Sequence, residues 1–156
     1  MLLITTATHF VQFNLSDLIE ILGENETKSI LSNFLCPLNK DVENFLKNKA
    51  IEFSKRNFSK TYLVFWETDD KTEKELVGYY TLASKAIKIK RSAVHRREAD
   101  KLGQHGAFNE KEGEYLVTAS LIAQLGKNFS NGNDCLISGS DLLQLAMDKV
   151  KQVQYE

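Results

Sequence analysis

Residues Tyr115–Val150, YLVTASLIAQLGKNFSNGNDCLISGSDLLQLAMDKV, decide how this chain is read. Tyr115–Leu125 is an apolar, strand-prone run, and the residues after it are polar and rich in Asn and Gly. From Ser138 onward, Leu142, Leu143, Ala146, Met147, Val150 and Val153 recur at three- and four-residue spacing. The stretch therefore predicts a strand, a polar loop and an amphipathic helix from Ser138 to about Val153, packed by one apolar stripe on a sheet. Ser138-Gly139-Ser140 stands in the first turn of that helix. Backbone N–H groups there lack intrahelical acceptors and sit at the positive end of the macrodipole, so the junction suits an anion such as phosphate. The same residues also fit a plain capping arrangement, with Ser138 accepting from the Asp141 N–H.

Upstream, TYLVFWE (61–67) and LVGYYTLASKAIKIK (76–90) are rich in β-branched and aromatic residues, and the charged connector DDKTEKE joins them. An antiparallel hairpin follows from this pattern. Ile87 and Ile89 alternate with Lys88 and Lys90, as in a half-exposed strand end. Gly78 inside the second strand reads as a β-bulge or as a close backbone approach. Before the hairpin, Asn39 or Asp41 caps a longer helix in which Val42, Phe45, Leu46, Ala50 and Phe53 face the core, and Pro37 stops the extended residues ahead of it. Earlier still, Ser16 reads as the N-cap of a short helix closed by Gly23, preceded by a short strand near Leu2 to Ile4. Residues 92–114 are charged, glycine-punctuated and poor in core residues, which predicts one short helix and a mobile loop.

A chain of 156 residues with 42% hydrophobic and 26% charged side chains fits one globular domain. Its net charge of -1 provides no global attraction to nucleic acid or to an anionic membrane. Cys36 and Cys135 are far apart and show neither a metal-ligand spacing nor a disulfide framework, so no metal is expected and a reducing cytoplasm fits best. The apolar N-terminus is too short to span a bilayer and has no basic n-region.

The order of these elements, with these words in them, resembles the GNAT acyl-CoA N-acyltransferase superfamily, especially its bacterial and phage-type members. The words are Val42-Glu43-Asn44-Phe45-Leu46, Thr61-Tyr62-Leu63-Val64, the run Leu76 to Leu82, and Leu121 to Asn128 closing the last strand. The resemblance covers roughly residues 31–150. It implies an α+β fold, an antiparallel meander with flanking helices that ends in a fourth strand, a loop and a third helix, over a single domain 1–156. It also implies an N-acetyltransferase that moves an acetyl group from acetyl-CoA to a primary amine of unknown identity. By similarity, Leu125, Gly126 and Lys127 would meet the pantetheine arm, and Ile137, Ser138, Gly139 and Ser140 the pyrophosphate. The family's phosphate loop usually reads Gln/Arg-x-x-Gly-x-Gly/Ala, whereas CLISGS has one glycine and neither Arg nor Gln at its start. The superfamily continues with a fifth strand, a fourth helix whose tyrosine often serves as general acid, and two closing strands, none of which this sequence contains. The alternative expectation is therefore a non-catalytic module that dimerises or pairs with a complementary chain through its exposed strand.

The motif fixes no catalytic residue. Glu67, Glu114, Tyr80 and His95 suit the role of acid or base by type, but each also reads as a surface or packing residue. Ser120 is expected to face the sheet and Cys135 to be a small apolar filler. The basic run Lys85, Lys88, Lys90, Arg91, Arg96 and Arg97 reads as a solvated strand end and helix face, and nucleic acid is disfavoured as a partner because no aromatic residues interleave with it.

Overall fold

The computed structural model describes residues 9–154, so the expected strand at Leu2 to Ile4 lies outside the described residues. A strand that the sequence reading did not include, β1 (Phe10–Asn14), leads directly into helix α1 (Leu15–Leu22). Asn14, not Ser16, caps α1. Its Oδ1 accepts the Ser16 N–H at 2.9 Å, so the serine contributes the orphan donor and the asparagine satisfies it. Gly23 ends α1 at φ 87, and α2 (Glu24–Ser32) begins immediately. This helix buries only Thr27 and Leu31, which is why no apolar period announced it.

Asn39 caps α3 (Lys40–Asn48) by accepting from the Asp41 and Val42 N–H groups. The single long helix expected here is two helices, because Lys49 leaves the helical region (φ -126, ψ -30) before α4 (Ala50–Lys55). The hairpin is as predicted, with β2 (Lys60–Glu67) antiparallel to β3 (Lys74–Lys90). Residues 92–114 contain more order than a helix and a loop: α5 (Arg96–His105) runs into β4 (Gly106–Asn109), which pairs antiparallel with β5 (Glu114–Lys127). A short 3-10 segment, Ser130–Cys135, then precedes α6 (Gly139–Gln154). The strand order among the described residues is β1-β2-β3-β5-β4.

Two compact units can be described, and β3 and β5 contribute residues to both. The first comprises Met1–Leu82 with Ile122–Glu156. Its sheet carries one apolar cluster on each face. Leu15, Leu31, Phe34, Leu46, Leu63 and Tyr79 form the cluster under α1–α4, while Tyr62, Val64, Val77, Tyr80, Leu142 and Ala146 form the cluster under α6. A bulge explains how β3 serves both. Val64 lies opposite Gly78 but Phe65 lies opposite Leu76, so Val77 is an extra residue and the alternation shifts by one. Leu76 and Tyr79 consequently share one face, and Val77 and Tyr80 the other. Both readings of Gly78 hold, since a Cβ there would also lie 2.9 Å from the Gly126 carbonyl oxygen and 3.2 Å from Leu142 Cδ2.

The second unit is Ala83–Leu121. His95 starts α5 with a capping box in which its N–H donates to Glu98 Oε2 at 3.0 Å. Asn109 shapes the β4–β5 turn by accepting from the Lys111 N–H, and Gly113 takes the left-handed φ of 65 that the turn needs. Ala99 is the one buried residue of this unit, and Ile87, Phe108, Leu116 and Leu121 are exposed.

Candidate functional site

The end of β5 and the start of α6 belong to the first unit and share an apolar cluster. Leu125 packs against the cluster that includes Ile137 and Leu142. β5 is mostly half-buried or exposed, and of its residues only Gly126 is buried. A Cβ at Gly126 would stand 2.3 Å from Val42 Cγ1, so this glycine lets the strand press against the first turn of α3. Lys127 places its ammonium 5.8 Å from the centre of the Phe129 ring. On the β4 side, β5 is paired only from Glu114 to Val117, and beyond that no strand lies on this edge among the described residues.

Asn128, which follows β5, is the residue that locks this corner. Its own N–H donates to the Val77 carbonyl at 2.8 Å and its Nδ2 to the Leu76 carbonyl at 2.7 Å. Its Oδ1 accepts from the Leu35 N–H at 3.0 Å and the Ser130 N–H at 3.1 Å. A single buried amide thus joins β3, the segment before α3 and the loop after β5. Asn133 adds a second donor to the Leu76 carbonyl at 3.3 Å. The sequence marked Asn128 only as the last letter of a matching word, and a buried asparagine among turn formers carries no distinguishing pattern.

At the head of α6, Ile137 is buried, whereas Ser138, Gly139 and Ser140 are exposed. The capping reading of Ser138 is correct: its Oγ accepts the Asp141 N–H at 3.0 Å. The earlier N–H groups of the turn remain without intrahelical acceptors. A Cβ at Gly139 would meet nothing within 4 Å, so no packing in the fold calls for glycine there. Asp141 in the same turn already complements the dipole and would repel an anion in part. The predicted stripe on α6 is narrower than expected. Leu142 and Ala146 are buried, but Leu143 and Met147 are each 41% exposed.

The candidate acids and bases are divided between the two units. Tyr80 is fully buried, its hydroxyl donates to Gln12 Oε1, its ring stacks on Tyr62, and burial pushes its phenol well above the ordinary tyrosine range. Tyr79 is equally buried, donates to the Val42 carbonyl at 2.6 Å, and is shifted upward for the same reason. Glu67 lies at the end of β2 in the first unit, while His95 and Glu114 belong to the second. His95 serves as the cap described above. Ser120 and Cys135 are exposed, which overturns their readings as sheet-facing and filler residues. Among the described residues no cluster of His, Cys, Asp or Glu is placed to hold a metal ion, and no helix is long and apolar enough to cross a membrane.

No protein-family model and no curated protein matches the sequence. Solved structures do match. A tyrosine-to-phenylalanine mutant of the AtaT toxin is 16% identical, with a TM-score of 0.50 over 80% of this chain and 60% of that one. AtaT complexed with acetyl-methionyl-tRNAfMet is 14% identical, with a TM-score of 0.54 over 89% of this chain and 66% of that one. A comparable mutant of KacT is 15% identical, with a TM-score of 0.59 over 94% and 72%. AtaTR bound with AcCoA is 16% identical, with a TM-score of 0.54 over 95% and 69%. The chain therefore spans 60% of the length of the first AtaT structure. At these identities the likeness establishes architecture, an antiparallel sheet with helices on both faces. The described residues have a GNAT-like fold, as the order of the sequence words implied.

Proposed function

We propose that this chain is a GNAT-type acyltransferase domain that binds acetyl-CoA along the end of β5 and at the head of α6, and transfers the acetyl group to an amine. The observation that carries the reading is the exposed Ser138-Gly139-Ser140 turn. It combines free N–H groups with a glycine that no intramolecular contact requires. In this reading the unpaired edge of β5 offers backbone groups to the amides of pantetheine as an added strand would, and Leu125, Gly126 and Lys127 line it. Acyl transfer then needs a neutral amine to attack the thioester carbonyl, with the departing thiolate taking up a proton. The AtaTR structure bound with AcCoA supports this ligand.

The acceptor we favour is an amine carried on RNA. Ala83–Leu121 holds eight basic and five acidic side chains, a net +3 in a chain of net charge -1, so its charge is more basic than the whole-chain balance indicated. The AtaT complex with acetyl-methionyl-tRNAfMet supports the same acceptor class, and it counts against setting nucleic acid aside. A second reading, pairing of β5 with another chain, is favoured by one observation. Thr118–Gly126 presents an edge without a charge or a proline to guard it.

Thermal unfolding with acetyl-CoA tests the main reading. At a hundredfold excess over Kd, a ligand selective for the native state adds about 2.7 kcal/mol, which raises the midpoint of a chain of this size by roughly 5–10 °C. Gly139→Val should unfold like the parent without ligand and lose that rise. An unshifted midpoint in the parent chain rejects the cofactor assignment, and an undiminished shift in Gly139→Val moves the phosphate site elsewhere.

A further inference from the structure

The turn that joins α4 to β2 places an aromatic ring in solvent and anchors it there. Asn57 takes the left-handed φ of 58 and ends α4. Its N–H donates to the Ser54 carbonyl at 3.2 Å, and the Phe58 N–H donates to the Phe53 carbonyl at 2.9 Å. Such a pair of bonds commonly closes a helix, with an apolar side chain at the position of Phe58 packed back on the last turn. Phe58 meets Phe53 edge-on, with ring centres 5.6 Å apart, and Phe53 in turn lies edge-on to the buried Phe45 at 5.5 Å. The cap needs only an apolar contact, which leucine would supply, yet Phe58 is 59% exposed.

The chain around this ring is basic. Residues 47–60 carry five basic side chains and one acidic, a net +4 in a chain of net charge -1. Glu52, Glu24 and Glu43 offset Arg56, Lys55 and Lys47. Lys49 and Lys60 are exposed and form no ion pair among the described residues. Lys60 follows Phe58 by two residues, and the Arg56 guanidinium stands 6.0 Å from the centre of the ring. The turn thus combines an exposed π-face, fixed by the helix cap, with an ammonium that has no anion of its own.

We infer that this turn binds single-stranded nucleic acid, with one base stacked on Phe58 and an adjacent phosphate held by Lys60. Such strands present flat π-faces and phosphates together, and proteins take them up on exposed aromatic rings set among basic side chains. An acidic peptide would engage the cations and leave the ring without a partner. The inference rests neither on acetyl-CoA nor on the basic Ala83–Leu121, because every residue in it lies in the first unit and away in sequence from the end of β5 and the head of α6.

Fluorescence anisotropy of dye-labelled oligouridylate with the full chain, at low salt and without acetyl-CoA, tests it. Phe58→Leu keeps the apolar contact of the cap, so it should fold like the parent and lose at least about fivefold in affinity, the lower end of what one stacked base contributes. Phe58→Tyr keeps a π-face and should bind like the parent. Lys60→Gln should weaken binding and reduce the slope of log affinity against log salt by about 0.7, as for one phosphate contact on a single strand. Heparin, a polyanion without bases, should bind the parent and Phe58→Leu equally. No binding by the parent, an unchanged affinity in Phe58→Leu, or an equal loss for heparin in that variant would each overturn the inference. So would an unchanged salt slope in Lys60→Gln, or displacement of the strand by uridine monophosphate at the same nucleotide concentration.

Discussion

Replacing Gly126 by alanine places one methyl group where the fold has no room. Its carbon would lie 2.3 Å from Val42 Cγ1, against the 3.5–4.0 Å at which carbon atoms rest. Val42 is 94% buried and β-branched, and its carbonyl is held by the Tyr79 hydroxyl at 2.6 Å, so it has little freedom to turn away. Overpacking of this kind costs about 1–3 kcal/mol. Alanine also reduces the freedom of the unfolded chain, which contributes about 0.4–1 kcal/mol in the opposite sense. The clash wins, and Gly126→Ala should destabilise by about 1–2 kcal/mol in urea unfolding at constant m-value. Val42→Ala alone should cost about 1–2 kcal/mol by opening a small cavity. In the double variant the new methyl occupies the space the valine left, so the stability should equal or exceed that of Val42→Ala. The resulting coupling of about 1–2 kcal/mol is the quantity of interest. Additive losses, or a Gly126→Ala chain as stable as the parent, would refute the close approach of β5 to α3.

Asn128→Ala should cost about 2–4 kcal/mol, since the Leu35 and Ser130 N–H groups and the Leu76 carbonyl each lose a partner, and Asn128→Asp should fall between; urea midpoints decide it. Thr61 and Thr81 share a buried hydroxyl contact at 2.8 Å, so Thr61→Val should cost about 1–3 kcal/mol while the double valine variant costs less than the sum of the singles. Glu43 accepts the Cys36 N–H at 2.8 Å and lies beside Lys40 and Lys47. That N–H is the main cause holding its carboxyl below the usual range, with the lysines contributing less. Asp70 is held at about 2, chiefly by the Thr68 hydroxyl and then by Thr72. A pKa depressed in the folded state confers stability above the unfolded value of about 4 and loses it as pH falls through the folded value. Unfolding midpoints should therefore drop as the pH falls from about 4.5 towards 2, and Glu43→Gln should make that drop smaller.

The hairpin, a cap at Asn39 or Asp41 that proves to be Asn39, the Gly23 stop and the helix head at Ser138 were legible because each rests on local chemistry: alternation, a capping side chain, a glycine φ, a hydroxyl in reach of an N–H. β1 and α2 were not. β1 is half-buried along its whole length, and α2 buries two residues, so neither shows a period. The break at Lys49 and the identity of β4 depend on what packs against them, which no window of sequence contains. In the candidate site, Gly126 and Gly139 looked alike as letters. The structure separates them: the first is required by Val42, and nothing in the fold requires the second. Tyr80 suits catalysis by residue type, but its burial and its donation to Gln12 make it a packing residue instead.

In the proposed function the end of β5 and the head of α6 bind one acetyl-CoA between them. Amide hydrogen exchange of the full chain, with and without saturating acetyl-CoA, distinguishes this surface from any other. Exchange should slow at residues 125–127 and 139–140 and stay unchanged over 83–121. Acetyl-CoA that leaves both segments as they were, or that protects residues elsewhere in the chain, would contradict it.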